Sequence, residues 1–523
     1  MAVTATLAVA LTGLAGHITQ VEASVSSQLP GMAVIGLPDA SLGEAKQRIR
    51  LACQNSGLPL SKRFITLNLS PADLPKHGSG FDLAMALAAL AASEQIPADR
   101  LAQTVHIGEL GLDGSLRRTG GILPAVLLAA QSGAQVVMVP ETGALEANLV
   151  AGIRVVAVSN LAQAVQWHRG LPLDKEVQFD RVSHSHAGQP SKEFDEPDMS
   201  EVIGHSESID GLAVAAAGGH HISLTGPPGT GKTMLATRIP SILPDLSDDE
   251  AIEVTSIASI ARPQVIEHLI RRPPFENPHH TSSLASMVGT GARMVSPGSI
   301  TRASRGVLFL DEAPEFAPAV LESLRQPLES GTISIQRARL RAELPAKFML
   351  VLAANPCPCG HAGSSVNLCR CTGGAKRRYA NRLSGPLIDR VDIQLHVMHS
   401  AAERAEALMG AEFQSERRRY GVTSSDIRAR VAEARQRSRR RLSSTPWVLN
   451  ADVSGTWLRH ANNRLPSVAT RVIDQSYEEG KMSLRGYDRA LRVAWSIADL
   501  EEAPEPTPAH VARAFTLRTG IQV

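Results

Sequence analysis

The chain has 523 residues, 43% of them hydrophobic, with 53 Lys and Arg against 51 Asp and Glu. That length accommodates about three or four domains, and near-neutrality excludes a nucleic-acid binder that is basic over its whole surface, so any DNA contact must be local. Aromatic residues at 3% disfavour a base-stacking platform for single strands, and five cysteines are too few for a secreted disulfide scaffold.

Met1 to Gly16 is apolar, but no Lys or Arg precedes it, so it reads as a first strand and turn rather than a signal peptide. No stretch approaches an uninterrupted membrane span, and the expected compartment is the cytoplasm. Residues 1–171 alternate apolar strands with Ala- and Leu-rich helices, as in Phe64 to Leu69 followed by Phe81 to Ala92, which predicts one α/β or α+β domain. Residues 172–200 mix charged, Ser, His and Pro residues without apolar periodicity and read as a linker.

The next segment carries the chemistry. Gly226, Pro227, Pro228, Gly229, Thr230, Gly231, Lys232 and Thr233 fit G-x-x-x-x-G-K-[ST], between a strand-like His221 to Thr225 and a helix-compatible Met234 to Ile239 that Pro240 interrupts. The glycines let backbone N–H groups turn toward phosphates, Lys232 neutralises β/γ-phosphate charge, and Thr233 is positioned to hold magnesium. Val307 to Leu310 is an apolar strand ending in Asp311 and Glu312. In a parallel sheet whose ligands gather at the strands' carboxyl ends, Asp311 would hold magnesium and Glu312 would polarise the attacking water. ATP and Mg2+ are the cofactors these motifs call for.

Between the two motifs, adjacent His279 and His280 read as surface or hydrogen-bonding residues rather than a metal pair. Thr332 to Gln336, Arg337-Ala338-Arg339 and Leu340 to Leu344 alternate around a short break and predict a hairpin with arginines at its tip. Arg337 and Arg339 there either solubilise an exposed turn or, if the hairpin faces a pore as the resemblance described below implies, contact successive DNA phosphates. Phe348 to Ala354 is a further buried strand ending at Asn355. Cys357, Cys359, Cys369 and Cys371 place four of five cysteines within fifteen residues. Two close thiolate pairs suit tetrahedral Zn2+, the alternative being free thiols or a redox pair, whereas Cys53 stands alone as a core residue. Arg417, Arg418, Arg419, Arg428, Arg430, Arg435, Arg437, Arg439, Arg440 and Arg441 face only Glu416, Asp426 and Glu433. Either a solvated helical face or a DNA-backbone contact accounts for them.

Val34-Ile35-Gly36-Leu37-Pro38-Asp39-Ala40, Asn68-Leu69-Ser70-Pro71-Ala72-Asp73-Leu74 and Gly120-Gly121-Ile122-Leu123-Pro124 resemble the amino-terminal domain of the ComM/YifB family of magnesium-chelatase-like AAA+ proteins. The resemblance resumes at Glu201 and covers nearly all that follows. It implies an α/β chain with an AAA+ P-loop core at 201–400, within which the four cysteines form the candidate zinc loop of 357–371. A helical lid follows at 401–523, and a Lon-protease-like α+β domain precedes the core at 1–171. That domain is expected to be inactive as a protease, because the Lon-type serine position falls on Gly80 and its lysine on Leu123, while Ser79 is one place away.

In the core, the resemblance places Val202-Ile203-Gly204-His205 at the adenine side, with His205 where the family has Gln. Pro274 to His280 falls in the helix-2 insert and the hairpin faces a ring pore. Asn355 is implied as sensor 1, Arg390 in Leu383 to Asp392 as an arginine finger acting on a neighbouring subunit, and Arg485 in Ser483 to Arg489 as sensor 2, with Arg489 the alternative. The implied whole is a homo-hexameric ring that drives branch migration of recombination intermediates on branched DNA, with accessory recombination proteins as possible partners and no membrane. Its rival is a chelatase-type ATPase that remodels a protein, because the nucleotide motifs say nothing about what is pulled. A scaffold without turnover is disfavoured by the presence of Lys232, Glu312, Asn355 and Arg390.

Overall fold

A computed structural model describes residues 3–36, 39–71, 79–173, 196–261, 265–291, 295–337, 340–362, 369–383, 385–398 and 422–520. His77, Gly78, Arg339, Arg417, Arg418, Arg419 and most of the expected linker lie outside these, as does the side chain of Arg337.

The amino-terminal part is built on a mixed seven-stranded sheet. Its strands are β1 (Thr4–Thr12), β2 (Ala15–Ser26), β3 (Gly31–Ile35), β4 (Phe64–Ser70), β5 (Thr104–His106), β6 (Val136–Pro140) and β7 (Arg154–Val158). The order is β3-β4-β2-β1-β5-β6-β7, with β1 antiparallel to β2, β2 antiparallel to β4, and the other pairs parallel. Along β1 and β4, residues alternate between buried and half-buried, so the period of two directs one face to the helices. The helix Asp82–Ala92 is apolar nearly all round and correspondingly buried on all sides.

The second part is an all-parallel five-stranded sheet of β8 (Ile222–Thr225), β9 (Phe275–Glu276), β10 (Val307–Leu310), β13 (Met349–Ala354) and β14 (Ile393–His396), in the order β9-β10-β13-β8-β14. Every residue of β10 and β13 is buried, as uninterrupted apolar runs covered on both faces must be. This sheet is consistent with an AAA+ core. The hairpin β11 (Thr332–Arg337) and β12 (Leu340–Pro345) projects from it, with Arg337 paired to Leu340 as the last described pair.

Helices Ser424–Arg441, Ser467–Glu478, Leu484–Leu500 and Pro508–Thr519 form the carboxyl-terminal part. Thr423, Ser483 and Thr507 each cap the amino end of the helix that follows, accepting from a backbone N–H that has no partner within the helix. Among the described residues no helix is long and apolar enough to cross a membrane.

A buried carboxylate lies at the seam between the two parts. Glu146 is fully buried and accepts from Arg118 Nε at 3.2 Å, from the Leu123 backbone N–H at 3.0 Å, and from the hydroxyl of Ser259 on the core helix Asp248–Ala261. The Gly121 N–H donates to Ser259 O at 3.1 Å across the same seam. Glu196 and Asp198 are likewise packed: Glu196 pairs with Arg272 at 2.9 Å, and Asp198 accepts from Ser424 N at 3.2 Å.

Candidate nucleotide site and cysteine cluster

The carboxyl ends of β8, β10 and β13 lie side by side, and the expected nucleotide residues emerge from them. After Thr225 the chain turns through 226–231 into the short helix Lys232–Thr237. Gly226 admits no side chain, since a Cβ there would lie 2.2 Å from Val397 O on the neighbouring connection. Gly231, at φ +84°, takes the left-handed conformation that opens the helix. Lys232 is buried and its Nζ donates to Gly226 O at 2.7 Å, Pro227 O at 2.8 Å and Asn355 Oδ1 at 3.2 Å, so the ammonium is folded back on its own loop. Burial holds its pKa below the usual lysine value, against the opposing pull of Asp311 and Glu312.

Thr233 Oγ1 donates to Asp311 Oδ2 at 2.8 Å, which brings the two expected magnesium ligands together from different elements. The other Asp311 oxygen accepts from the Glu312 backbone N–H at 2.9 Å. Glu312 itself is left-handed at φ +50°, an uncommon conformation for a residue with a side chain. Its half-exposed carboxylate lies 3.5 Å from His280 Nδ1, while His279 bonds Thr281 and its ring lies against that of His280, tilted by 33°. That pairing escaped sequence reasoning, whose only signal was two histidines without a partner.

Arg390 pairs with Glu329 and donates to Pro386 O at 2.6 Å. Its pKa is held below the usual arginine value first by burial, then by the positive charges of Arg325, Arg485 and Arg489. Four guanidinium groups thus share one neighbourhood. Arg489 is engaged there, bound to Asp392 and, at 2.9 Å, to Arg390 O, whereas Arg485 is exposed on the first turn of its helix. Asp392 is nearly fully buried, and although burial alone would raise its pKa, Arg489 and His220 hold it far below the carboxylate range.

The arginines of the basic helix Ser424–Arg441 divide into engaged and exposed ones. Arg435 donates to Ala216 O at 3.0 and 2.7 Å, Arg428 to Ser241 O at 2.9 Å, and Arg437 to Asp499 O at 2.9 Å. Arg441 binds Asp499 and Asn450 and lies 4.1 Å over the Trp495 ring. These four fasten the helical part to itself and to the core, and Arg435 caps a carbonyl in the last turn of Ser206–Gly218. Arg430, Arg439 and Arg440 are exposed.

Cys357, Cys359, Cys369 and Cys371 converge, their sulfur atoms all within 4.8 Å of one another. Separations of 3.4, 3.7 and 3.7 Å occur within the trio Cys357, Cys359 and Cys369. A tetrahedron with Zn–S bonds of about 2.3 Å has edges of about 3.8 Å, so the cluster is compatible with zinc. Cys53 is fully buried in the amino-terminal part, and burial pushes its thiol up to about 12, which leaves it inert. At the Lon-type positions, Gly80 has no side chain and Leu123 is fully buried, while the neighbouring Ser79 donates to Glu109.

Three segments match known families: 21–143 matches "Subunit ChlI of Mg-chelatase", 198–405 "Magnesium chelatase, subunit ChlI", and 421–518 "Magnesium chelatase, subunit ChlI C-terminal". An uncharacterized protein of Mycobacterium tuberculosis is 44% identical over 523 residues, 99% of each chain. YifB of Escherichia coli, also uncharacterized, is 38% identical over 95% of this chain and 93% of its own. Competence protein ComM of Haemophilus influenzae is 36% identical over 98% of this chain and 96% of its own.

Proposed function

This chain belongs to the YifB/ComM family, with magnesium-chelatase ChlI-type segments over nearly its whole length, and we propose that it is an ATP-driven DNA motor that migrates branched recombination intermediates. The ChlI-type AAA segment implies ATPase activity. The observation that carries the catalytic reading is the convergence of Lys232, Asn355, Thr233, Asp311 and Glu312 at the carboxyl ends of three adjacent parallel strands.

In this reading Lys232 leaves its loop carbonyls for the β/γ-phosphates of ATP, and Asn355, its partner at rest, reports the γ-phosphate. Thr233 and Asp311 would hold Mg2+, which supplies neutralisation of charge on the phosphates. Glu312 orients and polarises the attacking water, and His280 holds its carboxylate when no water is engaged. Arg390 acts as the finger on the nucleotide of a neighbouring subunit, which requires a homo-hexameric ring, and Arg485 is the nucleotide contact of the helical part. Zn2+ held by the four cysteines would supply a structural cross-link.

DNA is the cargo because one relative is a competence protein, and Arg337 and Arg339 are assigned to its phosphates from the hairpin. The motor is proposed to act in the cytoplasm. The ChlI-type segments also favour a second reading, a chelatase-type ATPase that remodels a protein partner. ATP hydrolysis measured with four-way DNA and with an unrelated acidic protein separates the two: stimulation by DNA alone supports the motor, and stimulation by neither or by the protein rejects it.

A further inference from the structure

The cysteine cluster is in direct contact with the phosphate loop. Asn355, which accepts from Lys232, is two residues from Cys357, and Cys357 is fully buried. The turn that follows closes on this cysteine: Gly360 N donates to Cys357 O at 2.9 Å and Ala362 N to its Sγ at 3.3 Å. Gly360 takes φ +80°, and a Cβ there would lie 2.6 Å from both Cγ and Cδ of Pro228. Pro228 is the third residue of the phosphate loop, and its ring cannot swing aside as the end of a long side chain could. One face of the cysteine turn therefore rests on the loop whose carbonyls hold Lys232.

We propose that this knuckle is a positioning element for the nucleotide site, so that metal bound by Cys357, Cys359, Cys369 and Cys371 sets nucleotide affinity through the Gly360–Pro228 contact. The inference rests on the zinc reading of the cluster. A metal tetrahedron locks the turn from Cys357 to Gly360, and the locked turn fixes the loop on one side while Asn355 fixes the lysine on the other. Without metal, four sulfur atoms this close separate, the turn relaxes, and both supports shift together. Cys359 is exposed, which gives a chelator access to the cluster.

The test measures binding of magnesium–ADP by the full-length chain, alongside metal content and sedimentation. With Mg2+ held in large excess, chelation of the zinc should weaken binding by about tenfold or more, the equivalent of one hydrogen bond to a charged group, and one equivalent of Zn2+ should restore it. Gly360→Ala should retain its metal and yet bind about as weakly as the chelated parent. As a variant without the steric demand, Pro228→Ala should lose part of the dependence on metal. A protein with one zinc per chain whose ADP affinity is unchanged by chelation and by Gly360→Ala overturns the inference and leaves the zinc reading standing. A protein purified with well under one metal per chain and four freely titratable thiols overturns both.

Discussion

Arg435 offers the sharpest separation of structural from DNA-directed arginines. Its guanidinium makes two bonds, of 3.0 and 2.7 Å, to Ala216 O, and burial lowers its pKa to about 10. Arg435→Ala removes both donors and leaves a carbonyl in the last turn of Ser206–Gly218 without its partner. A hydrogen bond from a charged donor contributes about 1.5–3 kcal/mol, and an abandoned buried acceptor costs about 1–3 kcal/mol. Because the substitution also relieves the desolvation of a cation, the net loss should be near 3 kcal/mol rather than their sum.

Arg430 and Arg440 are exposed on the same helix, so their double change to Ala should stay within about 0.5 kcal/mol of the parent. Urea unfolding followed by limited proteolysis of the helical part measures the first difference. DNA affinity across a salt series measures the second, where the Arg430/Arg440 double variant should lose up to about two units of log–log slope. If Arg435→Ala unfolded like the parent but lost DNA affinity with a reduced salt slope, the division of the helix into fastening and exposed arginines would be wrong.

Lys232→Ala should abolish nucleotide binding, whereas Glu312→Gln should keep ATP bound and unhydrolysed; equal loss of affinity in both would contradict the assigned roles. Mixed rings of Arg390→Ala and Lys232→Ala subunits should recover some turnover, because an intact loop can face an intact finger at random; no recovery in demonstrably mixed rings counts against action in trans. His168 is buried against His106, and burial, then Arg100, lowers its pKa to about 4, so the unfolded chain takes up a proton from about pH 6.5 downward and the folded chain does not. From pH 7 to pH 5 the parent should lose about 2 kcal/mol relative to His168→Gln, a difference in which the opposite contribution of Asp82, raised to about 6 by burial, cancels.

The parts legible in the sequence were those written contiguously. The glycine-rich turn of 226–233 and the two carboxylates after β10 announce themselves as candidates because strand, turn and polar group follow one another within a few residues, and the four cysteines because they cluster. What the chain order conceals is what meets across it. Thr233 reaches Asp311 across 78 positions and Lys232 reaches Asn355 across 123, and only the strand order β9-β10-β13-β8-β14 makes them neighbours. The basic helix was ambiguous for the same reason. Nothing local distinguishes Arg435, aimed at a carbonyl 219 positions away, from Arg440 five residues on, exposed to solvent. His280 beside Glu312 and Glu146 under Ser259 were likewise invisible as pairs, since each half reads as an ordinary polar residue.

The central claim is that ATP hydrolysis moves a DNA branch through contacts made by the hairpin. A labelled four-way junction, followed over time with the parent protein and ATP, should be resolved into its product arms. It should stay unresolved with Glu312→Gln and with the Arg337→Ala/Arg339→Ala double variant, the latter retaining basal ATP hydrolysis. Branch movement by the double variant at the parent rate across a salt series would remove the hairpin from the mechanism, and no movement by the parent protein on any branched substrate would contradict the motor itself.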